Sequence, residues 1–88
     1  MITRKDLVLY RRISDKERRS PEWRAFRREL EACLLKMPHE YRQAILLHYC
    51  CRLSWVSASM RMFYSPRHCI RINNKACTMI ERISKDPG

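Results

Sequence analysis

Leu53–Ile83, LSWVSASMRMFYSPRHCIRINNKACTMIERI, is the stretch whose reading decides the fold. Ser54 is a good N-cap, and the residues from Trp55 to about Met62 read as a short helix, with Ala58, Met60 and Met62 giving it a partly apolar side. Phe63 and Tyr64 make a tight turn. Ser65 caps and Pro66 opens a longer helix, because a proline in the first helical position gives up an N–H that has no partner there. Along this helix Cys69, Ile72, Ala76, Met79, Ile80 and Ile83 recur at helical spacing. Arg67, His68, Arg71, Asn74, Lys75 and Thr78 fall on the opposite face. A short helix, a turn and a basic helix with a polar first turn is the layout expected of a helix-turn-helix.

The same devices organise the chain upstream. Pro38 ends one helix and begins the next, which carries Tyr41, Ala44, Ile45, His48 and Tyr49 at helical spacing and runs to about Cys51. Ser20–Pro21 starts a helix whose apolar stripe is Trp23, Phe26, Leu30, Cys33, Leu34 and Met37, and core packing is the default meaning of such a stripe. Arg24, Arg27, Arg28, Glu29 and Glu31 form its solvated side. Thr3, with Asp6 three residues on, caps a first helix whose apolar side is Leu7 and Tyr10 with Val8 and Leu9 and which is expected to end near Arg19. The expectation is an all-α protein of about five helices with a C-terminal helix-turn-helix. Basic N-terminal helices occupy 1–36, the helix-turn-helix domain spans 37–84, and residues 85–88 form a frayed tail.

Composition narrows the function classes. The chain has 88 residues, enough for one small domain, and 45% hydrophobic residues allow a compact core. Gly88 is the lone glycine, and hairpin turn signals are scarce. No apolar run is long enough to cross a membrane and no uncharged apolar leader is seen, so the expected location is the cytoplasm. A formal net charge of +10 favours polyanionic partners, nucleic acid first among them. Cys33, Cys50, Cys51, Cys69 and Cys77 make an odd number with no C-x-x-C pair, and Cys50 and Cys51 point to different sides of a helix. Small buried thiols are therefore expected rather than zinc ligands or a disulfide framework, with no metal and no cofactor. His39, His48 and His68 have no nucleophile or carboxylate partner, and neighbouring His68 and Cys69 diverge on a helix, so no enzyme is expected.

The polar face of the last helix is the candidate site. An exposed helix N-terminus presents unpaired N–H groups and suits phosphate. Arginine pairs bidentately with guanine and asparagine with adenine. Arg67, His68, Arg71 and Asn74 are the expected base contacts; Arg42, Arg52, Ser65 and Lys75 are the expected phosphate contacts. The competing account is a basic solvated face.

Met37-Pro38-His39-Glu40-Tyr41-Arg42 followed by Ala44-Ile45-Leu46-Leu47-His48-Tyr49 resembles the start of region 4 of bacterial sigma-70 family factors. Leu53-Ser54-Trp55 is similar to that family's entry to its helix-turn-helix, Tyr64-Ser65-Pro66-Arg67 to its turn, and Ile72, Lys75-Ala76 and Ile80 to the register of its recognition helix. The similarity covers residues from about 37 to 84. It extends to small sigma-like regulators of phages and prophages, the ArpU-like and RinA-like proteins, which share the Leu-Ser-Trp entry and a charged N-terminal helix like that at Tyr10-Arg11-Arg12-Ile13. The resemblance implies a DNA-binding transcription regulator with two partners, double-stranded DNA and the flap of the RNA polymerase β subunit, and no membrane or small-molecule substrate. Ala58, Ser59 and Cys69 depart from the family's larger aliphatics, and Pro66, Arg67, Ile70 and Arg71 stand where its base-reading residues fall. A target other than the standard minus-35 element follows. The alternative is a module that docks on polymerase or a sigma factor without reading DNA, with Trp23, Phe26 and Leu30 as an exposed anchor surface. The chain has no room for region 2, so it is not a complete sigma factor.

Overall fold

Side-chain caps set where five of the six α-helices of the computed structural model begin; the structure describes residues 1–86. Helix α1, Arg4–Arg12, starts at Thr3, whose hydroxyl accepts from the Asp6 N–H while the Thr3 N–H donates to the Asp6 carboxylate at 2.9 Å. The first helix does not continue to Arg19. Ile13 is extended and buried, and Ser14 opens a separate one-turn helix α2, Asp15–Arg18, with its own reciprocal cap between Ser14 and Glu17. Ser14-x-x-Glu17 is a second capping box, and it interrupts a run that otherwise has helical composition.

Helix α3, Pro21–Leu34, is capped by Ser20, and α4, His39–Ile45, begins after Pro38 without a side-chain cap. Helix α4 then widens into one turn of π-helix, Leu46–Cys50, before the chain reverses through Arg52, which has a left-handed backbone at φ 59. Helix α5, Trp55–Met62, is capped by Ser54, and α6, Pro66–Lys85, by Ser65, where the His68 N–H donates to the serine oxygen at 3.2 Å. Phe63 between them is also left-handed, at φ 60, and the Tyr64 N–H closes the turn onto the Ser59 carbonyl. Among the described residues there is no strand, so the protein is all-α, with six α-helices where about five were expected. Of the tail expected at 85–88, Lys85 closes α6 and Asp86 caps it, while Pro87 and Gly88 lie outside the described residues.

The last carbonyls of the wide turn at 46–50 are satisfied by two arginines from the start of the chain. Arg11 Nε donates to the His48 carbonyl at 3.1 Å. Arg18 donates to the carbonyls of Tyr49 and Cys50, both at 2.8 Å, and to that of Tyr10, while its guanidinium lies 4.0 Å over the Tyr10 ring. Arg52 returns the tie, donating to the carbonyls of Arg11 and Ile13 and to the Asp15 carboxylate at 2.8 Å. A cationic cluster at the carbonyl end of a helix is favoured by the helix dipole as well. The N-terminal segment is thereby fastened to the hinge that leads into α5.

The larger part of the core gathers both ends of the chain: Ile2 and Leu7 from the start, Leu30 and Leu34 from α3, Ile45 and Tyr49 from α4 and its wide turn, and Ala76 and Ile80 from α6. Tyr10 packs with Trp23 and Phe26 in a cluster of tilted and edge-on rings beside it. A second, smaller cluster of Ala44, Met62, Cys69 and Ile72, with Trp55 and Leu47 packed against it, holds α5 and α6 to α4. The thiols divide. Cys33, Cys69 and Cys77 are buried as expected, but Cys50 is half-buried and Cys51 exposed, because the wide turn carries Cys51 past the end of the helix. Among the described residues, no helix is long and apolar enough to cross a membrane.

Candidate nucleic-acid interface

Helix α6 buries one face and leaves the other bare. Cys69, Ile72, Asn73, Ala76, Cys77 and Ile80 are inward. Asn73 is a polar residue on this apolar stripe; its carboxamide oxygen accepts from the Cys77 thiol at 3.5 Å, beside the buried Tyr49 hydroxyl. Burial pushes the Tyr49 phenol up to about 12. Arg67, His68, Arg71, Asn74, Lys75 and Thr78, the residues read as the opposite face, are all exposed, and Arg82 continues the row. Arg67, Arg71 and Lys75 follow one another at four-residue steps, which puts them on one side of the helix. Among the described residues the ion pairs are Arg27–Glu31 and Arg52–Asp15, so neither neutralises a cation of α6.

The first turn of this face is ordered by its neighbours. The His68 ring lies edge-on to Tyr64 at 4.6 Å, and the Tyr64 hydroxyl donates to Glu40 in the first turn of α4 at 3.3 Å. The nearby Glu40 carboxylate raises the Tyr64 phenol above its ordinary value. Glu40 and Tyr41 form one wall of a groove whose other wall is His68, Arg71, Asn74 and Lys75. Ser65 uses its oxygen as the cap acceptor, which leaves its hydroxyl hydrogen to donate outward.

Five of the eight expected contact residues thus share the start and exposed face of α6: Arg67, Arg71 and Lys75, whose side chains have no ion-pair partner among the described residues, with Ser65 and His68, which order the first turn. Asn74 lies on the same face, but its oxygen already accepts from Arg4 at 2.9 Å. Arg42 and Arg52 are engaged elsewhere. Arg42 donates to the Leu34 and Met37 carbonyls at the end of α3, and Arg52 holds the carbonyls and carboxylate of the α1–α2 joint. Orphan carbonyls at helix ends take both guanidinium groups. Arg4 is the residue that reading the chain missed; its basic character was visible, but nothing local placed it beside Asn74. Trp23 and Phe26 are half-buried and Leu30 is 0% exposed, so those residues do not form an open anchor surface. The exposed apolar side chains near α6 are instead Val56 and Met60 on α5, Phe63 and Tyr64 in the turn and Ile70 on α6 itself, Phe63 being 91% exposed. Among the described residues no group of three histidine, cysteine or acidic side chains is placed to hold a metal ion.

No protein-family model matches the chain, and no curated protein or solved structure matches it.

Proposed function

We propose that the chain is a DNA-binding transcription regulator whose α5–turn–α6 unit works as a helix-turn-helix, with α6 lying in the major groove of double-stranded DNA. The observation that carries this is the row of exposed, unneutralised cations on α6, Arg67, Arg71 and Lys75, led by a capped helix N-terminus. Arg67, His68 and Arg71 meet base edges from the first two turns. Ser65 and Lys75 hold phosphates, and Arg42 and Arg52 keep structural roles.

The resemblance of 37–84 to sigma region 4 supports a role alongside RNA polymerase and a phage or prophage origin. The residues at Pro66, Arg67, Ile70 and Arg71 favour a site other than the standard minus-35 element. Val56, Met60 and Phe63, exposed at helical spacing along α5 and its turn, favour a second reading in which this edge docks on polymerase or a sigma factor. Selection of bound duplexes from a random pool, with and without RNA polymerase, separates the two. Enrichment of one sequence by the chain alone supports direct reading of DNA, enrichment only with polymerase supports a co-activator, and no enrichment in either arm counts against DNA reading, while pulldown with polymerase in the absence of DNA tests the docking reading.

A further inference from the structure

Arg4 and Asn74 stand 70 positions apart, yet Arg4 Nη2 donates to Asn74 Oδ1 at 2.9 Å. A second bond ties the same end of the chain to α6: the Ile2 N–H donates to Ser84 Oγ at 2.7 Å. Asn74 and Ser84 bracket the C-terminal half of α6, so these two bonds tie the start of the chain to that half, which also carries exposed Lys75, Thr78 and Arg82. Arg4, Lys5 and Arg12 line one shallow groove along α1 together with Val8 and Leu9, and neither ion pair of the described residues involves these three cations.

The length of α6 says what lies there. From Pro66 to Asn74 the helix advances about 12 Å at 1.5 Å per residue. That is about the width of the major groove. A helix reading bases from its first two turns has reached the edge of the groove by Asn74, where the bordering phosphates run. Given the DNA-binding role proposed above, we propose that α1 is a second DNA-contacting element, in which Arg4 and Lys5 hold phosphodiester groups of the strand that borders the groove. Asn74 is then a positioning residue: it fixes the Arg4 guanidinium before DNA arrives, so less side-chain freedom is lost on binding. Arg12, two turns further along α1, continues the same charged edge.

The test is the salt dependence of binding by the full chain to a labelled mixed-sequence duplex of about 30 base pairs. Each phosphate contact contributes about 0.9 to the slope of log affinity against log salt. Arg4→Ala/Lys5→Ala is expected to lower that slope by about 1.8 and to weaken binding roughly tenfold or more at low salt. Lys5→Ala alone, at an exposed position, is expected to lower it by about 0.9. The charge-matched variant Arg24→Ala/Arg28→Ala on α3 is expected to keep the slope of the unaltered chain, and thermal melts establish that each variant is folded. If the unaltered chain binds and the Arg4/Lys5 variants bind with the same slope, the α1 contact is overturned while the role of α6 stands. Weaker binding with an unchanged slope also overturns it, since Arg4 then acts only through Asn74. Equal slope losses in the α3 variant overturn it as a general charge effect, and no binding by the unaltered chain overturns both roles.

Discussion

Arg18 reaches across 31 positions of sequence to donate to the Tyr49 carbonyl at 2.8 Å, and the same guanidinium serves Cys50 and Tyr10. The wide turn at 46–50 persists because the carbonyls it frees are answered in this way. Arg18→Ala leaves them without a donor and is expected to cost about 1–3 kcal/mol in urea unfolding. Arg18→Lys keeps the charge but not the planar fork, so it is expected to restore less than half of the loss. Full rescue by lysine would mean that charge alone matters at this turn.

A pH dependence follows from His48. Its ring stacks on Trp55 at 3.8 Å, and its Nδ1–H donates to the Leu53 carbonyl at 2.7 Å. Burial holds the imidazole below its ordinary value, the Leu53 bond opposes this, and Arg11 adds to the lowering. A lowered folded-state value means that the unfolded chain takes up the proton first, so stability rises with pH through this range. The melting temperature is expected to be highest above about pH 6.5 and to fall as pH drops below it. His48→Gln flattens that fall. Asp15, held low by its bond to Arg52, contributes stability throughout that window and loses it only at more acidic pH, as pH falls through the ordinary carboxylate range and below. A melting temperature that does not change between about pH 7.5 and 5 would contradict this account of His48.

The attachment of α5 is thin, and Met62 supplies much of it. Its thioether accepts from the Cys69 thiol at 3.8 Å inside a cluster whose other buried members are Ala44 and Ile72. Met62→Ala is expected to cost about 2–5 kcal/mol by leaving a cavity. Cys69→Leu is expected to cost about 1–3 kcal/mol by overfilling the same space. Denaturant midpoints measure both, and a neutral Cys69→Leu would contradict the close packing of the cluster around Cys69, which is 0% exposed.

Arg71 separates reading from mere attraction. It is exposed on α6, one turn beyond Arg67 and one before Lys75. On the selected site Arg71→Ala is expected to cost about 1–3 kcal/mol and to relax preference at one position. Lys75→Ala is expected to weaken all sequences alike. Equal losses for Arg71→Ala on selected and random duplexes would remove its base-reading role.

What the chain disclosed beforehand was local. Ser54, Ser20 and Ser65 act within a few residues of themselves, so the starts of α3, α5 and α6 were legible, as was the exposed face of α6. Ser14-x-x-Glu17 was equally local, but it lay inside a basic run that passes for one helix. The wide turn at 46–50 was not legible, because its stability depends on Arg11 and Arg18, more than thirty residues upstream. The same holds for the candidate site. Arg42 and Arg52 have the composition of phosphate clamps, and only the folded chain shows the carbonyls that occupy them. Arg4 has the composition of a solvated residue, and only the folded chain brings it to Asn74.

The central claim, that the bare cationic face of α6 binds duplex DNA, is tested most directly by anisotropy of a labelled duplex against added salt, comparing the unaltered chain with Arg67→Ala/Arg71→Ala/Lys75→Ala. The unaltered chain is expected to bind with log affinity falling linearly in log salt, and the triple variant, folded by its melting curve, to lose about 0.9 from that slope through Lys75 and, with its base contacts gone, most of its affinity. A flat salt dependence of the unaltered chain, or undiminished binding by the folded triple variant, would contradict it.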